Sequence, residues 1–295
     1  MKLYILKFVY RKVASGFHKI FVFFEQMADD HAFLIASGIA FSIFLYLIPI
    51  ALVVIYIITR FIDANAVILS IDNILRNIFP QTESSQALIS TILNEIYSIS
   101  MHSRFFGIIG IIVLLWLSST VFSSLRTGLN AMFHFPSPRF FLVYKLKDIV
   151  IAITLSFLIM LSTFILPASA AIVKYIGEWL PDIYLKYFQT FSSFLLTIFI
   201  GFIFFIFIFR FLPNKKLPNK ILVFCTVFCV GALEVAKPLF AYYVSYSGSY
   251  GKFYGVYAAL VTIAVWLYYS AIIILISATL GYNLMVKKKT HHHSH

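Results

Sequence analysis

The sequence predicts an all-α membrane protein. It has six transmembrane helices, an N-terminal amphipathic helix, and two amphipathic helices in the first outer loop. Three observations carry that prediction. Of 295 residues, 61% are hydrophobic and 12% charged, with mean hydropathy +0.95, where a soluble domain carries roughly 25% charge. A water-soluble globule of this size would expose much of that apolar excess. Six continuous apolar stretches each reach the roughly 20 residues that a helix needs to cross a bilayer core of about 30 Å. Finally, the basic residues alternate from loop to loop, as they do in a chain threaded back and forth through a membrane.

The spans are predicted over Phe33–Ile58, Phe105–Phe133, Ile149–Ile172, Phe188–Phe209, Ile221–Val244 and Phe253–Val286. They are unbroken apolar runs, unlike the alternating strands of about ten residues that build a membrane β-barrel. The last span is longer than a bilayer requires, so it tilts or projects. Four regions share one side: the N-terminal segment, the second-to-third loop with Arg139, Lys145 and Lys147, the fourth-to-fifth loop, and the tail with Lys287, Lys288 and Lys289. They hold fifteen basic residues, against six on the other side. Basic loops stay in the cytoplasm, so both termini are expected there, with the protein in a bacterial inner membrane. The net charge of +12 then reads as a topology signal and an attraction to anionic lipid, not as a nucleic-acid-binding surface.

Residues 1–30 form the first unit. Leu6, Val9, Val13, Phe17, Ile20, Phe21 and Phe24 recur at helical spacing among Lys7, Arg11, Lys12 and Lys19, the pattern of an interfacial helix on a leaflet surface. No short apolar core with a small-residue cleavage site precedes them, so a cleaved signal peptide is not expected. Asp29 and Asp30 stand where the first span starts, placed to cap it and to complement its positive end. Residues 31–286 form the transmembrane domain. Within it, residues 61–104 are predicted as an outer helical hairpin. Val67, Ile68, Ile71, Ile74, Leu75 and Ile78 make one stripe, ended by Pro80, and Leu88, Ile89, Ile92, Leu93 and Ile96 make another. These helices either cap a cavity or rest on the membrane. Residues 287–295 are a basic, His-rich cytoplasmic tail whose histidines invite adventitious metal.

Polar groups are costly in lipid and point inward. In the second span Ser119, Ser123, Arg126, Thr127 and Asn130 fall on one helical face. They read either as helix–helix glue with Arg126 snorkelling to the headgroups, or as a cavity wall for an anionic group. In the fifth span Glu234 and Lys237 are three apart and pair along the helix. Pro238 removes the hydrogen bond to the Glu234 carbonyl. Pro49 does the same for Leu45 in the first span. In the sixth span Tyr268 lies near the middle, where its phenol wants a partner, and Glu234 or the second-span polar face would serve. Ala36, Ala40, Ser270, Ser277 and Gly281 are small residues suited to close helix packing, and Cys225 and Cys229 read as packing residues. There is no H-E-x-x-H, P-loop or Rossmann glycine run. The expectation is therefore no catalytic residues, no cofactor and no resident metal.

In order along the chain, the Asp29–Asp30 pair is followed by Ala36-Ser-Gly-Ile-Ala-Phe41 and Leu47-Ile-Pro49. Gly128-Leu-Asn130 ends the second span. Leu212-Pro-Asn214 and Leu217-Pro-Asn219 come next, then Glu234-x-x-Lys237 with Tyr242, Tyr254-Gly255 and Trp266-x-Tyr268. Together, from about Ala28 to Gly281, they resemble the YihY/BrkB family of bacterial inner-membrane proteins, long labelled ribonuclease BN-like. The chain departs from the family in the last span, with Ser277-Ala278-Thr279 where the family commonly reads Gly-Ala-Glu. The resemblance implies a helical membrane protein of undefined activity with a virulence association.

Two functions are carried forward. The first is transporter-like or lipid-handling, with Ser119, Ser123, Arg126, Asn130, Glu234, Lys237 and Tyr268 binding an amphiphilic or anionic substrate and membrane lipids as partners. The second is a non-transporting envelope scaffold. A tRNA-processing ribonuclease fits least, because a metal-dependent hydrolase wants clustered His and Asp ligands.

Overall fold

In the computed structural model the described residues are 20–61, 103–136, 143–158, 182–246 and 248–292, with isolated positions at 18, 69, 72, 86, 89–91, 93, 94 and 161. The main helices among the described residues are α1 Ile20–Asp29, α2 Ala32–Phe61, α3 Ser103–Met132, α4 at 143–158, α5 Asp182–Phe211, α6 Asn219–Tyr246 and α7 Gly248–His292. Among the described residues there is no strand.

Four segments are long and apolar enough to cross a membrane: Ile112–Met132, Phe191–Phe211, Asn219–Val244 and Leu260–Lys287. A fifth arises if α1 and Ala32–Leu47 count as one span bent by 62°. The third predicted span is described only over its first half, and most of the outer hairpin 61–104 and residues 1–17 lie outside the described residues. The third span, and with it the count of six, and the amphipathic character of those segments therefore remain expectations.

The break between α1 and α2 has a local cause. His31 has φ 55°, the left-handed conformation that ends a helix. Its N–H donates to the Ala28 carbonyl at 3.0 Å, and Ile35 N–H already donates to the His31 carbonyl at 3.0 Å. One helix thus closes as the next opens. At the end of α3, His134 has φ 52°. There the His134 N–H donates to Ala131 O at 3.1 Å and the Phe135 N–H to Asn130 O at 2.9 Å. These are the two bonds of a Schellman cap, and Phe133 stacks on Phe135 beside them at 5.5 Å.

The helices pack as a chain of neighbours. Helix α7 lies against α6, α2 and α3; α2 also lines α3, and α5 lies against α6. In lipid no hydrophobic gain drives helices together, so close approach of backbones decides the fit. Ala36, Ala271, Ala278 and both cysteines are buried. A Cβ on Gly128 would lie 2.9 Å from Ile35 and 3.1 Å from Leu275, so this glycine sets the approach of α3 to α2 and α7. A Cβ on Gly281 would overlap Cys225 Sγ, which fixes α7 against α6. The packing role expected of Cys225, Cys229, Ala36 and Gly281 is what the structure gives them. Outward faces carry apolar bulk, such as Phe199, Val235 and Trp116, as lipid contact requires.

Helices α2 and α6 run through Pro49 and Pro238. Helix α7 has 45 residues, about 68 Å at 1.5 Å per residue. It continues past the predicted end at Val286 to His292, so the first part of the predicted tail is helical.

Candidate functional site

The polar face of α3 is where the structure gathers its buried charge. Ser119, Arg126 and Asn130 are buried and Ser123 is half-buried. Arg126 does not snorkel to a headgroup. Its Nη1 lies 2.5 Å from Asp148 Oδ1 on α4, and both side chains are almost fully buried. The same nitrogen donates to the Tyr144 carbonyl at 3.1 Å, and Nη2 donates to Ser123 Oγ at 3.3 Å. The guanidinium also sits 5.0 Å from the centroid of the Tyr144 ring, a cation–π contact. One turn of α4, from Tyr144 to Asp148, thus wraps the arginine.

Asp148 is the residue that the sequence reading missed. It stands one position before the predicted third span, beside Lys145 and Lys147. The signal was there: the chain has only 11 acidic residues, so any acid bordering a span is a candidate partner for a buried arginine. Lys145, expected as a charge of the second-to-third loop, lies in the first turn of α4. Its Nζ lies 4.9 Å from the Trp116 ring centroid, alongside the apolar stretch Ile112–Met132. Lys145 and Lys147 precede Asp148 on the same turn of α4, so three basic residues stand near one acid, of which Arg126 makes the ion pair. Asp148 Oδ2 and Ser119 Oγ are buried with no hydrogen-bond partner among the described residues.

Thr127 is exposed, its hydroxyl returned to the Ser123 carbonyl of its own helix at 2.9 Å, so it does not share the polar face. Asn130 has a visible structural task. Its Oδ1 accepts the Asn214 N–H at 2.9 Å, and Asn214 Nδ2 donates to Pro136 O at 2.8 Å. The Leu212-Pro-Asn214 turn is thereby tied to the end of α3. Nearby, Asp30 Oδ1 lies 3.1 Å from His134 Nε2, and His134 stacks on Tyr282 at 4.4 Å. The carboxylate expected to cap α2 faces His134 instead. Gln26 and Asn283 bond at 3.0 Å, so α1 is tied to both α3 and α7.

Glu234 and Lys237 pair at 2.5 Å along α6 as expected, with Lys237 about half exposed. Tyr268 packs at the edge of the core and its hydroxyl makes no hydrogen bond among the described residues. None of the hydrogen bonds or ion pairs found among the described residues joins these three residues to the Arg126 cluster. The structure thus brings together Ser123 and Arg126 with Asp148, places Ser119 on the same helix face, and holds Glu234 and Lys237 as a separate pair. Thr279 is buried, and its hydroxyl faces Leu275 O at 3.0 Å and Met132 Sδ at 3.2 Å. An apolar groove of about 460 Å³ lies on α6, lined by Val227, Gly231, Val235, Leu239 and Ile273 among others; no charged side chain enters it. Among the described residues no cluster of three metal-ligating side chains occurs.

The pattern of the virulence factor BrkB family matches residues 23–294. The chain is 25% identical over 262 residues to a UPF0761 membrane protein of Pseudoalteromonas translucida, covering 88% of this chain and 83% of that protein. It is 23% identical over 210 residues to the ribonuclease-like protein YfkH of Bacillus subtilis, covering 70% of this chain and 74% of that one. It is 24% identical over 271 residues to a UPF0761 membrane protein of Ralstonia nicotianae, where it spans 89% of this chain but only 57% of the relative. No solved structure matches. The chain belongs to the virulence factor BrkB family of membrane proteins.

Proposed function

We propose that this membrane protein handles an anionic amphiphile or anionic solute at the polar site around Arg126, in the manner of a transporter or lipid-handling protein. The observation that carries the reading is the buried Arg126 paired to Asp148 of α4, on a turn that also carries Lys145 and Lys147, so that basic residues outnumber acids there. A charge kept in lipid is expensive and usually marks a substrate or ion path. A static bundle would be served as well by apolar side chains of the same volume. Ser119 and Ser123 supply hydroxyls on the same face, and the apolar surroundings suit a tail that stays in lipid. The protein acts in a bacterial inner membrane, with both termini cytoplasmic. Glu234 and Lys237 neutralise each other and are not needed at the anion seat.

A photo-crosslinking amino acid in place of Ser123, activated in native membranes, tests the reading. The expected adducts are anionic lipids or small anions, and they disappear when Arg126→Gln is added. Adducts to protein partners alone would overturn it and favour the scaffold. RNA cleavage by purified, nuclease-free protein would overturn it in favour of the ribonuclease-like name that one relative carries.

A further inference from the structure

We propose that Asp148 is an internal counter-ion that occupies the anion seat of Arg126, and that an anionic phosphate group binds by displacing it. The inference rests on the proposed function and says how the site is kept charged in lipid when no ligand is bound.

The geometry carries it in three steps. Arg126 presents a planar fork suited to two parallel hydrogen bonds with a carboxylate or phosphate. Asp148 does not complete that fork. Only Oδ1 meets the guanidinium, through Nη1, and that nitrogen is shared with the Tyr144 carbonyl. Nη2 turns to the neutral Ser123 hydroxyl at 3.3 Å, a long bond. The second carboxylate oxygen, Oδ2, is buried and unmatched among the described residues. The fork is thus split between one carboxylate oxygen and a neutral hydroxyl, where an anion with two oxygens would take both arms.

The second step is charge. Lys145 and Lys147 lie on the same turn of α4 as Asp148, so three basic residues stand against one acid and positive charge remains in excess after the Arg126–Asp148 pair is counted. A phosphate monoester brings more negative charge than a carboxylate and more acceptor oxygens. It therefore meets the arginine fork and the lysines better than Asp148 does. The third step is the receiving place for the displaced acid. Lys145 is three residues before Asp148 on the same helix, the spacing at which side chains meet, so the carboxylate exchanges one cation for another along its own helix. Ser119 Oγ, also buried without a partner among the described residues, is a further donor on the α3 face that carries Arg126.

The test is equilibrium binding in detergent micelles with three probes: dioctanoyl phosphatidate, inorganic phosphate and uncharged dioctanoylglycerol. A seat that is occupied most of the time weakens apparent affinity by the fraction of time it is free. Asp148→Asn is therefore expected to bind an anionic probe about tenfold more tightly than the wild type, or better, as removal of such an occupant allows. Arg126→Gln and the double variant Arg126→Gln/Asp148→Asn bind neither anion. Phosphatidate binding without phosphate binding identifies a lipid head group, and equal competition by phosphate identifies a free anion; dioctanoylglycerol binds to none of the chains.

Lys147→Gln leaves the Arg126–Asp148 contact in place and is expected to weaken anion binding several-fold. It keeps the idea testable if Asp148→Asn is too unstable to purify. Asp148→Asn binding no tighter than wild type, or Lys147→Gln binding as tightly as wild type, overturns the counter-ion. In either case Arg126-dependent binding by the wild type would leave the proposed function standing. Binding that ignores Arg126 in every chain would overturn both.

Discussion

Arg126 of α3 and Asp148 of α4 meet at 2.5 Å with almost no exposure of either side chain. Breaking a buried pair from one side leaves a bare charge. The Arg126→Gln chain, with Asp148 stripped of its ion-pair partner, should lose about 3–5 kcal/mol of stability. Asp148→Asn keeps an acceptor for Nη1 and should lose less. A well-packed apolar double replacement, Arg126→Met/Asp148→Leu, should recover most of the loss, because apolar substitutes for a buried pair are often neutral. Unfolding in mixed detergent and SDS micelles measures all three. A double variant as unstable as Arg126→Gln would show that the pair stabilises the fold by more than mutual neutralisation.

Helices α6 and α7 touch where Gly281 faces Cys225 Sγ, with no space for a Cβ. Gly281→Ala should cost about 1–3 kcal/mol through overpacking. Adding Cys225→Ala should return most of that, with a coupling of about 0.5–3 kcal/mol in a double-mutant cycle. Additive effects would mean that the two positions do not meet.

Asn130 holds the Asn214 N–H through its side-chain oxygen at 2.9 Å. Asn130→Ala orphans that N–H and should cost about 1–3 kcal/mol. Asn130→Asp keeps an acceptor and should be milder. Limited proteolysis of the turn around Asn214 reads the difference. Equal protection in both variants would remove the tie from the account.

His31 is exposed and left-handed at φ 55°. A β-branched residue pays the left-handed penalty in full, so His31→Val should lose about 1–2 kcal/mol. His31→Gly should hold or gain slightly, since glycine takes this conformation freely. A His31→Val chain as stable as the wild type would place the bend between α1 and α2 elsewhere.

Much of the fold was legible because lipid forces a simple code. Backbone groups in hydrocarbon must bond within helices, so apolar run length alone located the helices that became α2, α3, α5, α6 and α7. Small residues marked close approaches for the same reason, and Gly281 and Cys225 turned out to be one contact. The i,i+3 spacing of Glu234 and Lys237 was enough to pair them, since both lie on one helix.

Partners on different helices were harder. Asp148 is distant in sequence from Arg126 and sits at a span edge, where acids have a bland reading as caps. Asn130 and Asn214, and Asp30 and His134, are likewise joined only by the fold. Tyr268 sits mid-span, but spacing along one helix does not say what a phenol faces. Sequence periodicity gives the face of a helix; it does not say which neighbour that face meets. That is why the polar stripe of α3 was found while its counter-charge was not.

Service of an anionic substrate by Arg126 is tested most directly by flux in liposomes reconstituted with the purified chain, following labelled anionic lipid, zwitterionic lipid and small organic anions across or between leaflets. The account predicts movement of an anionic species that stops with Arg126→Gln in protein that remains folded, and persists when Glu234 and Lys237 are exchanged with each other. No movement of any anionic lipid or solute, with Arg126→Gln leaving the cellular phenotype unchanged, would contradict it.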